Sequence, residues 1–431
     1  MNPNTYIHPR EQLAISMSWI YRHHLTNAAS GNISCLDENG DMWITPADVD
    51  KGSLLPRDMV CVQADGSCIG RYQPSSEYPL HRAIYDARPD IRAIVHAHPP
   101  CGVAFSVAKR TPSGRLFPQT FRCSRNIGFA PYAKPGSEKL ATSVAEKFIA
   151  GCDSIILESH GICCGGATLN EAFFRFDTLE FSARAEIRAA MIGKPHELTN
   201  EQLLLDRTRP RGFFGVLAPT THAKPPHVIN GAESICTYLK RGIDHGLFSA
   251  TTGIISLRLG PDSFLINKQN ADRSQIRPSD FTVINKGCVE QGCLPSHMAM
   301  IHDAIYKSHP DISCIINASP LYCLAHSICH RPIDTKVLPE SYQHLHDVPL
   351  VPYEAPYRRH ELIVDKISLE NPAVEICNNG IMTVGRGIGD AYRSLETVES
   401  TAMAIVSSTP LGGYVPLPPS QIAELVDPEI T

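Results

Sequence analysis

The chain contains an internal repeat, and this feature limits the possible folds more than any other. Residues 81–99 align with residues 302–320 without a gap, and 10 of the 19 aligned residues are identical. Positions outside this stretch keep nearly the same separation: Gly31 with Gly253, Ser34 with Ser256, Asp58 with Asp280, and Pro131-Tyr132 with Pro352-Tyr353. Long internal repeats indicate a duplicated structural unit. The sequence therefore predicts two tandem copies of one fold.

The repeat also suggests domain boundaries. At 431 residues the chain is long enough for two domains that each have a complete hydrophobic core. Proline is frequent between the two halves, where regular hydrophobic periodicity is lost. We therefore predict a first domain at residues 1–205, called the first copy below, a proline-rich linker at 206–226, and a second domain at 227–431, called the second copy.

Composition excludes several classes of protein. Hydrophobic residues make up 43% of the chain and charged residues 19%, as in ordinary globular proteins. A formal net charge of −5 provides no basic surface for nucleic acid or anionic membranes. No apolar run reaches the length of a membrane-spanning helix, and we expect no signal peptide. The 15 cysteines are scattered through apolar runs, so we expect free thiols and a cytoplasmic location.

Two histidines follow an apolar, β-branched run in the first copy. Ile94 and Val95 predict a buried strand that continues into His96 and His98. Because side chains alternate between the two faces of a strand, both imidazoles are expected on the same face. Two adjacent imidazoles at a strand end are a good start on a divalent metal site.

Two further polar residues of the first copy are candidates for the same site. Glu77 lies one helix length before His96, and Ser75 or Ser76 is expected to cap that helix, predicted over residues 77–87. His160 follows a second apolar strand, predicted over residues 154–157. A histidine in such a position is more often structural, and Glu77 alone would be explained by the helix dipole. Neither residue identifies a site by itself.

The second copy keeps the apolar and proline positions but replaces the candidate site residues. The replacements are Asn317 for His96, Ser319 for His98, Asn379 for His160, Met298 for Glu77 and Ile254 for Asn32. Their joint loss indicates that these residues of the first copy form one functional set, and it predicts that the second copy binds no metal. His81 is retained as His302, so we interpret His81 as structural.

Several short motifs of the first copy resemble those of the class II aldolase/adducin family. The motifs are ASGNIS at 29–34, ITP at 44–46, PSSE at 74–77 with His81, VHAH at 95–98, APY at 130–132 and SHG at 159–161. The resemblance covers about residues 8–192, and the second copy matches as a degenerate repeat. The family includes L-fuculose-1-phosphate and L-rhamnulose-1-phosphate aldolases and L-ribulose-5-phosphate 4-epimerase. The resemblance implies an α/β fold in three layers, in which helices flank a central, mainly antiparallel sheet, present twice.

The resemblance also implies roles for the site residues. It makes His96, His98 and His160 ligands of one divalent cation, and it makes Glu77 the acid/base residue. Three neutral imidazoles leave the charge of the cation undiminished, so the cation acts as a strong Lewis acid. Zinc is the first expectation, and manganese, iron and cobalt are alternatives.

The expected substrate-binding residues depart from the family pattern in one loop. The resemblance implies that phosphate is held by the Gly-Asn loop and the two serines before the glutamate, here Gly31, Asn32, Ser75 and Ser76. The family's Thr-Gly step is replaced by Ala47 and Asp48. A carboxylate about 4 Å from a phosphate would cost on the order of 1–4 kcal/mol. The substrate is therefore either unphosphorylated or bound with Asp48 turned away.

A second departure concerns the proton donor. Arg122 and Arg125 are candidates to replace the lost donors or to bind a carboxylate with two parallel hydrogen bonds. The family's aldolases use a tyrosine as proton donor in about this region. Here Phe117 and Phe121 occur instead, and no tyrosine is evident.

We therefore predict a metal-dependent lyase that cleaves a small hydroxycarbonyl or sugar-like substrate by an aldol reaction through a metal-stabilised enediolate. Decarboxylation, dehydration and epimerisation share this type of intermediate and stay open as alternatives. The alternative from another class is a non-catalytic scaffold like the adducin head, against which the intact ligand set argues. Family members form rings of four, so we expect a homodimer that builds a four-lobed ring, with no nucleic-acid or membrane partner.

Overall fold

The fold is taken from a computed structural model that describes residues 7–124, 126–207, 214–217, 224–269 and 271–426. The described residues form two compact units. The first unit lies within Met1–Arg115 and Gln119–Arg184, and the second lies within Leu116–Pro118 and Ala185–Thr431.

The first copy is built on an eight-stranded sheet. Its strand order is β4-β3-β2-β1-β5-β8-β7-β6. Neighbouring strands are antiparallel except for β6 and β7, which pair in parallel. The strands are β1 Asn32–Leu36, β2 Met42–Ile44, β3 Val60–Val62, β4 Cys68–Ile69, β5 Ala93–Ala97, β6 Ile127–Ala130, β7 Ser154–Leu157 and β8 Gly161–Gly166.

Helices cover both faces of this sheet. They are α1 Pro9–Arg22, α2 Tyr78–Ala87, α3 Pro100–Val107, α4 Pro118–Cys123, α5 Glu138–Ile149 and α6 Leu169–Ile192. One hydrophobic cluster joins α1 and α6 to the sheet, and a second cluster joins α2 and α5 to the opposite face. Alternate residues of β5 serve the two clusters, Val95 in the first and Ile94 in the second. This is the predicted three-layer arrangement.

The second copy repeats this plan. Its sheet has the order β13-β12-β11-β10-β14-β17-β16-β15, which matches β4 through β6 strand by strand, and adds β9 beside β13. The strands are β9 Gly215–Leu217, β10 Ile254–Gly260, β11 Ser263–Asn267, β12 Phe281–Asn285, β13 Cys288–Glu290, β14 Cys314–Ala318, β15 Leu350–Val351, β16 Ala373–Ile376 and β17 Gly380–Gly385. Helix α7 Asn200–Arg207 ends within the predicted linker, and the α-helices that follow are α8 Pro226–Asp244, α9 Ala299–Ser308, α10 Leu321–Cys329, α11 Pro339–Leu345, α12 Ala355–Arg358, α13 Glu361–Val364, α14 Ile388–Ser408 and α15 Pro419–Val426.

Three local features add to the sequence analysis. The predicted linker 206–226 includes β9, which pairs in parallel with β13, while residues 208–213 and 218–223 lie outside the described residues. All 15 cysteines are free thiols, as expected. No helix within the described part of the chain has the length and apolar character needed to cross a membrane.

Candidate metal centre and acid/base site

The central strand β5 places the first two histidines. His96 is fully buried and pairs with Asn32 of β1 on one side and Cys163 of β8 on the other. His98 follows one residue after β5 ends, on the same side as His96, as the two-residue period of a strand requires. Their ring centroids are 5.1 Å apart.

A tight turn between β7 and β8 adds His160 to this pair. Ser159 adopts a left-handed conformation with φ of 53°, which reverses the chain. The backbone N–H of His160 donates to the Ser106 hydroxyl at 2.9 Å, and that hydroxyl donates to the carbonyl of Leu157 at 2.5 Å. Ser106, a fully buried residue of α3, therefore holds the turn. No sequence pattern predicts this role, because the partners lie more than 50 residues apart.

The three imidazoles converge. The ring centroid of His160 lies 4.9 Å from that of His96 and 4.8 Å from that of His98. One nitrogen from each ring lies within 4.8 Å of the others, and this is the only such group of histidine, cysteine or acidic side chains among the described residues. Burial lowers the pKa of His98 to about 3 and that of His160 to about 4, so both rings are neutral, the form that binds metals.

The hydrogen bonding of His96 shows why this cluster fits a cation. Nδ1 of His96 lies 2.9 Å from the carbonyl oxygen of Ile162, which can only accept, so Nδ1 carries the proton. Nε2 then directs a lone pair into the cluster, where it lies 3.3 Å from Nε2 of His98 and 3.2 Å from Oε2 of Glu77. A lone pair on Nε2 of His96 and the carboxylate of Glu77 repel each other at this distance, and a proton on Nε2 or a divalent cation would relieve that repulsion. A backbone carbonyl that fixes the tautomer of a histidine is also typical of metal sites.

Glu77 lies beside the histidines at the start of α2. Its side chain is 9% exposed, with Oε2 accepting a hydrogen bond from Nδ2 of Asn32 at 2.8 Å and Oε1 3.5 Å from Nε2 of His160. Burial opposes ionisation of this carboxyl, but His96, His160 and the Asn32 amide outweigh burial and hold the pKa of Glu77 well below its usual range. The carboxylate form is therefore the resting form.

The prediction that Ser75 or Ser76 caps helix α2 is wrong. The N-cap position of α2 is Glu77 itself, and no side chain caps the helix. The Ser75 hydroxyl instead accepts a long, 3.4 Å hydrogen bond from the N–H of Glu77, one residue before the helix begins, and Ser76 is exposed. The turn instead places the Glu77 carboxylate beside His96 and His160.

A buried hydrogen-bonded chain lies behind Glu77. Oδ1 of Asn32 is 2.5 Å from Nε2 of His81, and Nδ1 of His81 is 2.7 Å from the hydroxyl of Ser34. The Ser34 hydroxyl is in turn 2.6 Å from that of Tyr85. Burial lowers the pKa of His81 to about 3, so its ring is neutral. The sequence predicted the site residue Asn32 but not that His81 contacts it.

The remaining predicted substrate residues occupy loops around the centre. Gly31 has φ of 83°, and a side chain there would meet the His96 carbonyl oxygen at 3.1 Å, so the chain approaches β5 closely. Asp48 is exposed and left-handed, with φ of 52°. Arg122 is exposed on α4, where it donates to Oε1 of Gln119. Arg125 lies outside the described residues. Within the described contacts no hydrogen bond joins Asp48 to the three histidines.

The second copy has an apolar core where the first copy has Glu77 and Asn32. Met298 is fully buried there and packs in the same hydrophobic cluster as Ile254. Asn317 donates to the Ile381 carbonyl at 3.3 Å, and Ser319 donates to the Asn379 carbonyl at 2.6 Å. Asn379, the counterpart of His160, donates to the Tyr357 hydroxyl at 3.4 Å. Each polar replacement therefore has a hydrogen-bond partner of its own, either a backbone carbonyl or a side-chain hydroxyl.

Comparison with known proteins identifies relatives that each match about two fifths of this chain. An L-fuculose phosphate aldolase of Methanocaldococcus jannaschii is 31% identical over 180 residues, which is 41% of this chain and 93% of that protein. A 3-oxo-tetronate 4-phosphate decarboxylase of Escherichia coli strain K12 is 30% identical over 178 residues, 40% of this chain and 83% of that protein. Both relatives are lyases by name.

A solved structure of an L-fuculose 1-phosphate aldolase is also similar, with 28% sequence identity, a TM-score of 0.42, and coverage of 46% of this chain and 93% of that one. The family model of the class II aldolase and adducin N-terminal domain matches residues 11–187 and again residues 233–406. Because these two matches span most of both copies, the chain belongs to the class II aldolase and adducin family.

Proposed function

We propose that the first copy is a divalent-metal-dependent lyase and that the second copy is not catalytic. The observation that carries this proposal is the convergence of three imidazole nitrogens, within 4.8 Å of one another, beside the buried carboxylate of Glu77. The two lyases among the relatives support the reaction class. The second copy belongs to the same family but has none of these four side chains.

His96, His98 and His160 would hold the cation. Zinc suits three imidazole ligands best, and manganese, iron and cobalt are alternatives. When bound, the cation would supply Lewis acidity toward a carbonyl or hydroxyl group of the substrate. The Ile162 carbonyl keeps the proton of His96 on Nδ1, so Nε2 of that ring stays directed at the centre.

Glu77 would transfer the proton. Asn32 holds Oε2 as a hydrogen-bond acceptor, whereas Oε1 is buried and has no hydrogen-bond partner among the described residues. Oε1 is therefore the oxygen that can take a proton from the substrate and return it. Asn32 itself uses one N–H and its carbonyl on Glu77 and His81, so its contact with substrate would be through the remaining N–H.

The substrate would be a small hydroxycarbonyl compound. The named substrates of the relatives are phosphorylated, which supports a phosphate site at the loops of Gly31, Asn32, Ser75 and Ser76. Asp48 argues against a phosphate site, because its carboxylate would repel a phosphate. The positive charge of Arg122 would compensate for that repulsion. Aldol cleavage is the first candidate reaction. Decarboxylation is the second, because the Escherichia coli relative is a decarboxylase by name.

Metal analysis and a substrate screen test the proposal. The purified chain should contain, or take up, about one transition-metal ion, the number expected for a single three-histidine centre. The screen would compare phosphorylated and unphosphorylated hydroxycarbonyl compounds and hydroxy acids, with aldehyde formation reporting aldol cleavage and carbon dioxide release reporting decarboxylation. A chain that binds no metal would overturn the proposal and favour the adducin-like scaffold.

We also propose that the chain acts as a homodimer. With a chain mass of 47.3 kDa, sedimentation should detect a particle of about twice that mass, as expected for symmetric oligomers. A strict monomer at micromolar concentration would overturn the dimer but would leave the proposed chemistry intact.

A further inference from the structure

The hydrogen-bonded chain behind Glu77 has a fixed direction. A carboxylate can only accept, so the Asn32 group facing Oε2 of Glu77 is the amide Nδ2, and Oδ1 faces His81. Oδ1 also only accepts, so Nε2 of His81 carries the ring proton. The neutral ring then accepts at Nδ1 from Ser34, whose oxygen accepts from Tyr85. Every donor in the chain therefore points toward Glu77.

The members of this chain are shielded from water. Ser34 and His81 are 0% exposed, Asn32 is 3% exposed and Tyr85 is 5% exposed. Water therefore cannot replace a lost partner or rotate the Asn32 amide at low cost. If His81 presented a lone pair instead of an N–H, the amide of Asn32 would be driven to flip, and a carbonyl oxygen would then face the carboxylate of Glu77.

The second copy keeps only part of this hydrogen-bonded chain. The Ser256 hydroxyl lies 2.8 Å from Nδ1 of His302 and 2.8 Å from the hydroxyl of Tyr306, which matches the first copy. The next members are replaced by Ile254 and Met298. Nε2 of His302 is consequently buried without a hydrogen-bond partner among the described residues. A buried ring nitrogen without a hydrogen-bond partner is unfavourable in either tautomer, so this arrangement is not what packing alone would select.

We infer that His81 is a positioning residue of the first copy: acting through Asn32, it fixes the orientation of the Glu77 carboxylate beside the three histidines. This extends the structural interpretation of His81, because the contact with Ser34 serves the fold in both copies while the contact with Asn32 serves the site in one. The inference rests on the proposed function, since it concerns the same carboxylate and cation.

The test uses the full-length chain and Co²⁺ alone as the probe, because the visible absorption of Co²⁺ reports its surroundings. His81→Phe keeps the ring shape but removes both hydrogen bonds, and His81→Gln keeps a donor that can reach Asn32. Asn32→Ile interrupts the hydrogen-bonded chain at its next member and introduces the residue that the second copy has at Ile254. His302→Phe is the matched control, since it removes the same ring from the same Ser-Tyr contact where no site exists. Urea unfolding of each variant establishes that it folds.

We expect His81→Phe and Asn32→Ile to weaken Co²⁺ binding roughly 10- to 100-fold and to shift its absorption, the effect typical of partners that orient a metal site. His81→Gln should stay within about three-fold of the unmodified chain, and His302→Phe should leave both readouts unchanged. The inference is overturned if His81→Phe and His302→Phe behave alike, or if Gln is worse than Phe, since a shape-filling role would favour Phe. Failure of the unmodified chain to bind Co²⁺ would overturn the proposed function and this inference together.

Discussion

The two copies share a scaffold and differ in the residues at the centre of the sheet. Both keep the serine, histidine and tyrosine contact, at Ser34 and at Ser256. Both use a buried glutamate, Glu180 or Glu399, to accept two backbone N–H groups at the start of the helix that follows the central strand. These shared polar contacts are what the fold requires.

At the positions of the site, the two copies differ in groups that would serve chemistry. In the second copy the counterparts of His96 and His98 bond to backbone carbonyls, that of His160 donates to the Tyr357 hydroxyl, and that of Glu77 joins the apolar core. The scaffold therefore does not need the site, and the site occupies a space that hydrophobic packing can fill. The comparison separates residues that stabilise the fold from residues that are retained for function.

Replacing one metal ligand of the first copy by its counterpart from the second copy should have the largest effect on metal binding and turnover. His160→Asn introduces the residue found at Asn379, and it leaves only two of three imidazoles. We expect metal affinity to fall by more than the roughly 100-fold that loss of an outer-shell partner costs, and turnover to be abolished. Metal content and activity measure this. Asn379→Ala is the control and should change neither quantity, while a His160→Asn variant that keeps its metal would contradict the assignment of His160.

Removing the carboxylate should have the next largest effect. Glu77→Gln keeps the shape and the hydrogen bond from Asn32 but removes the proton acceptor. We expect turnover at saturating metal to fall about 10²- to 10⁴-fold, the usual contribution of general acid–base catalysis. Met298→Leu, at the equivalent position of the second copy, should leave turnover unchanged. Near-normal turnover by Glu77→Gln would show that another group moves the proton.

Met298 provides the converse test, because it should matter for stability and not for chemistry. The side chain is fully buried in the core of the second copy. Met298→Ala should cost about 2–5 kcal/mol in the free energy of unfolding, as for other large-to-small core substitutions. Met298→Leu conserves volume and should cost less than about 1.5 kcal/mol. Equal costs for the two variants would show that the space is not tightly packed.

Much of this comparison could be read from the sequence, because it depends on local periodicity and on a long repeat. The apolar run predicted that strand β5 is buried, and the two-residue period predicted that His96 and His98 lie on the same face. The repeat predicted that the two copies share one fold, and their sheets have the same strand order. The convergence of His160 with the strand pair was inferred from family motifs. The spacing of residues alone does not bring them together.

The parts that sequence reasoning missed depend on contacts between distant residues. Ser106 holds His160 across 54 positions of the chain, and His81 reaches Asn32 across 49. A helix cap at Ser75 or Ser76 was predicted from residue type, but Glu77 occupies the N-cap position of α2 and its side chain lies beside His96 and His160. Strand β9 lacks a strong pattern, because all three of its residues are exposed and pairing with β13 defines it.

Glu375 is a polar residue that the second copy has gained in its core. It lies at the position of Ile156 in β7 of the first copy, is fully buried, and neither of its carboxyl oxygens has a well-aligned hydrogen-bond partner among the described residues. Burial raises the pKa of Glu375 well above its ordinary value near 4.5, against the opposing effect of the Ile333 backbone.

The folded chain favours the protonated form of Glu375. The contribution of this carboxyl to the free energy of unfolding is therefore complete below pH 4.5 and is lost as the pH rises above that value. Glu375→Ile should therefore stabilise the second copy by about 1–3 kcal/mol, with the larger gain at alkaline pH. Urea unfolding between pH 5 and about 9 measures this. Ile156→Glu is the reverse substitution and should destabilise the first copy. A pH-independent gain would show that Glu375 is solvated or paired.

The glutamates shared by both copies should give the smallest effects, and the two effects should be equal. Glu180 accepts from the N–H groups of Cys101 and Gly102 at 3.2 and 2.7 Å, and Glu399 accepts from those of Tyr322 and Cys323 at 2.9 and 2.8 Å. Glutamine keeps only one acceptor oxygen, so Glu180→Gln and Glu399→Gln should each cost roughly 1 kcal/mol in the free energy of unfolding.

Their pH dependence should also match. Burial raises the pKa of both carboxyls to about 7, so the stability that each contributes is complete below pH 4.5 and is lost as the pH rises to about 7. The cost of each glutamine should therefore shrink over that interval, as measured by urea unfolding of the two variants side by side. If Glu180→Gln lowered turnover while its cost in stability equalled that of Glu399→Gln, the contact would serve the site as well as the fold, and the shared scaffold would be smaller than the comparison of the two copies indicates.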